Sequence, residues 1–143
     1  MTVPDNEQGS VQVDERGSML PFMAALFFVG LVVTGLALDT ALLAATYREA
    51  AFAADVGAEA GAAELVPGGF SGEPRLDPER AQSSAVDAAV SARPRPGRTA
   101  VAVADPTSVC VSVTDRYEPR ILSVIGAAPV DLTVEACAEP RIG

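Results

Sequence analysis

Hydrophobic residues follow two rhythms along this chain. From Ser18 to Leu38 no position is charged, and Leu20, Phe22, Leu26, Phe28, Leu31, Val33, Leu36 and Leu38 are spread over all sides of a helix. Such a helix would be roughly 30 Å long, the thickness of a bilayer hydrocarbon core. A chain this small can hardly surround a helix that is apolar on every face, so the pattern predicts one membrane span over residues 18–38. Pro21 is compatible with it, because a proline in the first turn loses no hydrogen bond. Toward the C-terminus the period falls to two. "TAVAVA" (Thr99–Ala104), "VCVSVT" (Val109–Thr114) and "VDLTVEAC" (Val130–Cys137) alternate apolar and polar residues and are rich in Val and Thr. They predict an antiparallel sheet with one wet face, and "ADPTS" (Ala104–Ser108) predicts the turn between the first two strands.

Between these regions the Ala-rich stretch from Asp39 has no helix breaker before Pro67, so the span is expected to continue as a helix to about Val66. Leu42, Ala45, Phe52, Val56, Ala60 and Ala63 form one stripe on it, the side expected to lie against the sheet. Arg48, Asp55 and Glu59 form another, read as a solvated face. Gly30 and Gly35 are five apart, about 140° around a helix, and do not make the close-packing face that a spacing of four gives. "PGGFSGEPRL" predicts a loop. A second helix then follows over Asp77–Ala92, with Asp77 as N-cap, Pro78 at the first helical position and Glu79 in the first turn. The fold class is α+β: a long N-terminal helix, a second short helix and a small C-terminal sheet. The predicted divisions are a tail over 1–17, the span over 18–38, its continuation over 39–66 and a small domain over 67–143.

The strand alternation places Cys110 and Cys137 on the polar side of their strands. Free thiols usually bury, so this placement favours a bridge between neighbouring strands over two unpaired thiols. A bridge needs an oxidising compartment. It therefore predicts a single-pass plasma-membrane protein with its N-terminus in the cytoplasm and its C-terminus outside. The flanking Arg16 and Arg48 do not discriminate the orientation. A secretory signal peptide would have a basic n-region and a shorter apolar stretch, whereas Asp5, Glu7, Asp14 and Glu15 make this tail acidic. Asp39, at the outer end of the span, is placed at the interface, with pairing to a partner's N-terminal amine as the alternative.

Charge and composition narrow the chemistry. The net charge is -9 over 143 residues and every basic residue is Arg, which argues against nucleic acid as a partner. "RPRPGR" (Arg93–Arg98) is read as a solvated turn rather than a ligand site. There is no histidine and there are only two cysteines, so histidine-based triads and a four-thiolate metal site are ruled out. Ser71 in "GGFSGE" lacks the spacing of a nucleophile elbow. No enzyme activity, catalytic residue, metal or cofactor is expected.

The order of these segments resembles type IV pilin-like proteins, and more closely the TadE/TadG-like subunits of the tight-adherence (Tad, or Flp) pilus system. The likeness is carried by "DERGSMLPF" (Asp14–Phe22), "LALD" (Leu36–Asp39), "YREAAFAADVGAEAGAAEL" (Tyr47–Leu65) and the closing "VDLTVEACAEPRIG" (Val130–Gly143). It implies a minor pilin or pseudopilin that takes part in pilus or secretion-system assembly. Its partners would be the membrane, other pilin-like or Tad assembly subunits and a prepilin peptidase, and its final location a surface pilus. In that family the Arg-Gly before the apolar run is where the peptidase removes a leader, which makes Gly17 and Ser18 the candidate cleavage pair. Read without the family, Gly17 or Ser18 caps the helix and Arg16 sits at the headgroups. The chain departs from the pilin pattern at Phe22, where pilins usually carry Glu. The competing reading is an unrelated single-span membrane protein whose small outer domain binds a ligand or partner.

Overall fold

The computed structural model describes residues 19–67 and 74–140. In chain order the elements are α1 (Met19–Ala62), α2 (Pro78–Ala92), β1 (Thr99–Ala104), β2 (Val109–Tyr117), a short 3-10 helix (Leu122–Ile125) and β3 (Val130–Ala138). The fold is α+β, as the alternation of periods predicts. The chain divides into two compact units within α1, one ending at Thr34 and the other beginning at Gly35.

The described part of the first unit is the helical stretch from Met19 to Thr34. Its large side chains are exposed. The one polar side chain, Thr34, turns its hydroxyl back onto the carbonyl of Gly30 at 2.8 Å, which hides the proton from an apolar surrounding. By length and composition α1 contains a segment able to cross a membrane.

In the second unit the sheet has the order β1-β2-β3, with both pairings antiparallel. Side chains alternate across it as the sequence pattern requires. Val109, Val111, Val113, Asp115 and Tyr117 of β2 point inward and are buried, with Ala100, Ala102 and Ala104 of β1 and Val134, Ala136 and Ala138 of β3 beside the same core. The outer face carries Ser112, a Thr114–Thr133 hydroxyl pair at 2.9 Å, and Val101 and Val103, which are exposed. β2 runs three residues beyond the predicted Thr114, because the alternation continues through Asp115 and Tyr117.

The helices cover the inner face of the sheet, and their packing corrects the expected stripe. Leu42 and Phe52 are exposed, at 43% and 49%. The buried positions of α1 in this unit are instead small: Thr46, Ala50, Ala53, Ala54, Gly57, Ala58, Gly61 and Ala62, with Gly35 and Asp39 below them. α2 answers with Ala81, Ala85 and Ala89, spaced by four. The reason is distance. A Cβ on Gly57 would lie 2.8 Å from the carbonyl oxygen of Ala85, and one on Gly61 would lie 2.9 Å from that of Ala81. Backbones this close admit only glycine and alanine between them. The larger apolar residues of α1 therefore have to lie on other sides.

α1 also stops at Ala62, short of the expected Val66. The segment after it pairs with the chain that precedes α2. The amide of Val66 donates to Arg75 O at 2.9 Å, the amide of Asp77 donates to Glu64 O at 2.9 Å, and Leu65 faces Leu76 in an isolated bridge. These backbone groups exchange helical partners for strand partners and bury Leu76. α2 begins as predicted, with the Asp77 side chain accepting from the amide of Arg80 at 3.4 Å and Pro78 in the first turn.

Candidate functional site

The second unit is organised around the first charged residue after the apolar run. Asp39 lies one helical turn after Gly35 on α1, and 3% of its surface is exposed. A buried carboxylate must be hydrogen-bonded, and here the chain itself does this. Oδ2 accepts from the amides of Leu122 at 2.7 Å and Ile121 at 3.1 Å, and Oδ1 accepts from the amide of Arg120 at 3.1 Å. The Tyr117 hydroxyl donates to the Asp39 carbonyl at 2.9 Å and reaches Oδ1 at 3.4 Å. The carboxylate thus caps the free amides that open the 3-10 helix. The bond from Leu122 is the strongest influence on its protonation. Against the opposing effect of burial, and together with the Arg120 and Ile121 amides and the Tyr117 hydroxyl, it holds the Asp39 carboxyl below the usual carboxylate range. Burial, and then the negative charge of Asp39, pushes the Tyr117 hydroxyl up.

Gly35 completes the arrangement. A Cβ there would lie 2.7 Å from Ile121 Cγ2, so the missing side chain is what lets Ile121 sit against the helix. The five-residue spacing from Gly30 gave no hint of this, because the partner is a loop and not a second helix.

A second buried polar cluster lies at the same end of β2. Arg98 donates from Nε to Asp115 Oδ1 at 2.8 Å and from a terminal nitrogen to Oδ2 at 2.6 Å, and both side chains are 1% exposed. Its other terminal nitrogen donates to the Arg93 carbonyl at 2.6 Å. The hydrogen bond to Asp115 raises the Arg98 pKa. Arg95 adds a half-exposed link from Glu49 on α1, 3.3 Å away, to Asp115 at 3.9 Å. The "RPRPGR" segment is therefore a turn, as expected, but its last arginine is buried as a forked ion pair rather than solvated. Period two foretells this pair once β2 is continued past Thr114, because Asp115 then falls on the inward face and needs a cation.

The remaining candidates fall as follows. Cys110 and Cys137 are directly opposite in the β2–β3 register and are bonded to each other. Glu135 is close to both sulfurs, but with the sulfurs bonded no thiolate is left to hold a metal. Gly17, Ser18 and Ser71 lie outside the described residues. A groove between α1 and the end of β3 is lined in part by Asp55, Glu59, Ser108 and Glu139, where the only sulfur, Cys137, is already committed. Asp39 has both oxygens occupied by its own chain. In this arrangement it fastens the start of the 3-10 helix to α1. Comparison with known proteins finds no matching family model, no matching curated protein and no matching solved structure.

Proposed function

We propose that this chain is a membrane-anchored, non-catalytic subunit of the TadE/TadG-like kind, a minor pilin or pseudopilin that takes part in assembling a Tad/Flp pilus or secretion system at the cell envelope. The observation that supports the reading is the division of labour along α1. Its first stretch is uncharged and exposed, and its later part is packed through glycine and alanine onto a sheet stapled by Cys110–Cys137. An apolar helix surface of this size must be covered, and either lipid or neighbouring apolar helices can cover it. A subunit that leaves a membrane to join a helical bundle uses the same surface in both places. The bridge favours an oxidising compartment, and this supports a reading with the C-terminal unit outside and the N-terminus in the cytoplasm.

Prepilin-type processing would cut between Gly17 and Ser18 and remove the side chains of Asp5, Glu7, Asp14, Glu15 and Arg16. Without that cut, an acidic tail would have to enter an apolar bundle. In the native host, N-terminal sequencing of protein from sheared surface fractions should begin at Ser18. Gly17→Leu should keep the full-length precursor in the membrane and out of those fractions. An intact Met1 or Thr2 on surface-assembled protein would defeat the processing step. Absence of the protein from surface filaments and from their membrane assembly complexes would favour the single-span binding protein instead.

A further inference from the structure

After that of α1, the longest uncharged run in the chain lies near its C-terminus. From Ile121 to Val130 it reads "ILSVIGAAPV". Soluble loops are seldom this apolar, and this one is not folded inward. Val124 is 86% exposed and Ile125 68%, and Gly126 turns the chain with φ at 90° so that the pair stays at the tip. The position of the loop is fixed at several points. Its start is bonded to the Asp39 carboxylate through the Arg120, Ile121 and Leu122 amides. Ile121 also lies against Gly35. Gly35 and Asp39 bracket the last turn of the uncharged run, whose Leu36 and Leu38 are likewise exposed.

We propose that the Ile121–Val130 loop is a second membrane contact, in which Val124 and Ile125 enter the interfacial layer of the outer leaflet beside the end of the helical span. The proposal rests on the reading of α1 as a membrane anchor. The level of the loop argues for lipid as the occupant rather than another protein. It is fastened to α1 at the turn where charge first reappears, which is where the hydrocarbon core would end. Arg120, exposed and immediately before Ile121, has no carboxylate within ion-pair distance among the described residues. It is placed to reach a headgroup phosphate while the apolar residues after it go deeper. A single helix leaves an outer domain free to swivel about the helix axis. A second contact point removes that freedom and presents one fixed face of the domain to whatever assembles with it.

The chain contains no tryptophan, so single tryptophans report their own surroundings. Val124→Trp, Val103→Trp on the exposed outer face of β1, and Leu31→Trp within the uncharged run are each placed in the full-length protein. Each is reconstituted in phosphatidylcholine vesicles with or without bromine near the headgroup end of the acyl chains. The expected result is blue-shifted emission from Val124→Trp that is at least halved by brominated lipid, with Leu31→Trp also quenched and Val103→Trp unaffected. If Leu31→Trp is quenched while Val124→Trp behaves like Val103→Trp, the loop contact is overturned and the anchor stands. If neither is quenched, both readings fall. Blue-shifted but unquenched emission from Val124→Trp means that protein covers the loop, which also overturns the proposal.

Discussion

Replacing Gly57 with alanine tests whether the small residues of α1 are there for proximity. In an isolated helix Gly→Ala is favourable by about 1 kcal/mol, because glycine loses more backbone freedom on folding. Here the added methyl would lie 2.8 Å from the Ala85 carbonyl oxygen, 2.9 Å from Ala89 Cβ and 3.4 Å from Val111 Cγ1. Carbon atoms rest at about 3.5–4.0 Å, so α2 would have to retreat by roughly 1 Å. It cannot pivot about the next turn, because Gly61 is packed just as closely against Ala81 and Ala85. Overpacking of this kind costs about 1–3 kcal/mol, so at its middle value a net loss of about 1 kcal/mol remains after the helix-propensity gain. At roughly 4–8 °C per kcal/mol for a domain of this size, the melting temperature should fall by roughly 4–8 °C. The assay is thermal unfolding of the full-length protein in detergent, followed by circular dichroism. Gly30→Ala, where a Cβ meets nothing within 4 Å, serves as the control and should leave the second unit's transition unmoved. Adding Ala89→Gly to Gly57→Ala should recover part of the loss. A Gly57→Ala protein that melts at or above the parent temperature would refute the close-packing argument.

Three further outcomes can be measured on the same preparation. Arg98→Ala leaves the buried Asp115 with only the half-exposed Arg95, 3.9 Å away, and should cost about 3 kcal/mol, whereas Arg98→Met with Asp115→Leu should recover most of that loss in denaturant titration. Asp105 accepts hydrogen bonds from Thr107 and Ser108 in the β1–β2 turn, and those bonds, the Thr107 hydroxyl first, lower its pKa to about 2. Because the folded pKa is depressed, its stabilising effect is complete above the ordinary carboxylate value of about 4 and is lost as pH falls toward about 2. The stability gap between parent and Asp105→Ala should therefore be constant near neutral pH and close over that acid window. Removing both cysteines, 27 positions apart, by Cys110→Ser with Cys137→Ser should lower stability by about 3.5 kcal/mol on the chain-entropy model, read as a shift in the urea midpoint.

Much of this architecture can be read from period and punctuation. β1 occupies Thr99–Ala104, the stretch that alternates, and α2 begins where Asp77-Pro78 predicts. The bridge follows from two cysteines facing the polar side of neighbouring strands. What the pattern misled on is the packed face of α1. A ranking by hydrophobicity selects Leu42, Phe52 and Val56, yet close helix packing selects glycine and alanine, and side-chain size carries no weight in a hydropathy stripe. Arg98 was missed for a related reason. Its neighbours Pro94, Pro96 and Gly97 announce a turn, and turns are ordinarily wet, but the partner that buries this arginine lies in another strand. The role of Asp39 depends on contacts still more remote in sequence. The uncharged run of Ile121–Val130 is a local signal, but it has the period of neither a helix nor a strand.

Asp39 joins these levels in one residue. A buried, ionised carboxylate is costly unless something replaces its water. The replacements are three amides and a phenol that lie 78 to 83 residues further along the chain. Local sequence cannot supply them, so the carboxylate is satisfied only once β2 and the loop after it have folded back onto α1. In the membrane-anchored reading, the outer end of the span is therefore defined by the folded domain as well as by where the apolar residues stop. A chain with an unfolded outer domain would present a bare carboxylate at that boundary and would need water or headgroups to solvate it. A folded one presents a carboxylate whose hydrogen bonds are already made, flanked by Leu36 and Leu38 on the helix and by Ile121 on the loop. The end of the apolar helix and the folding of the sheet are thus coupled through one side chain.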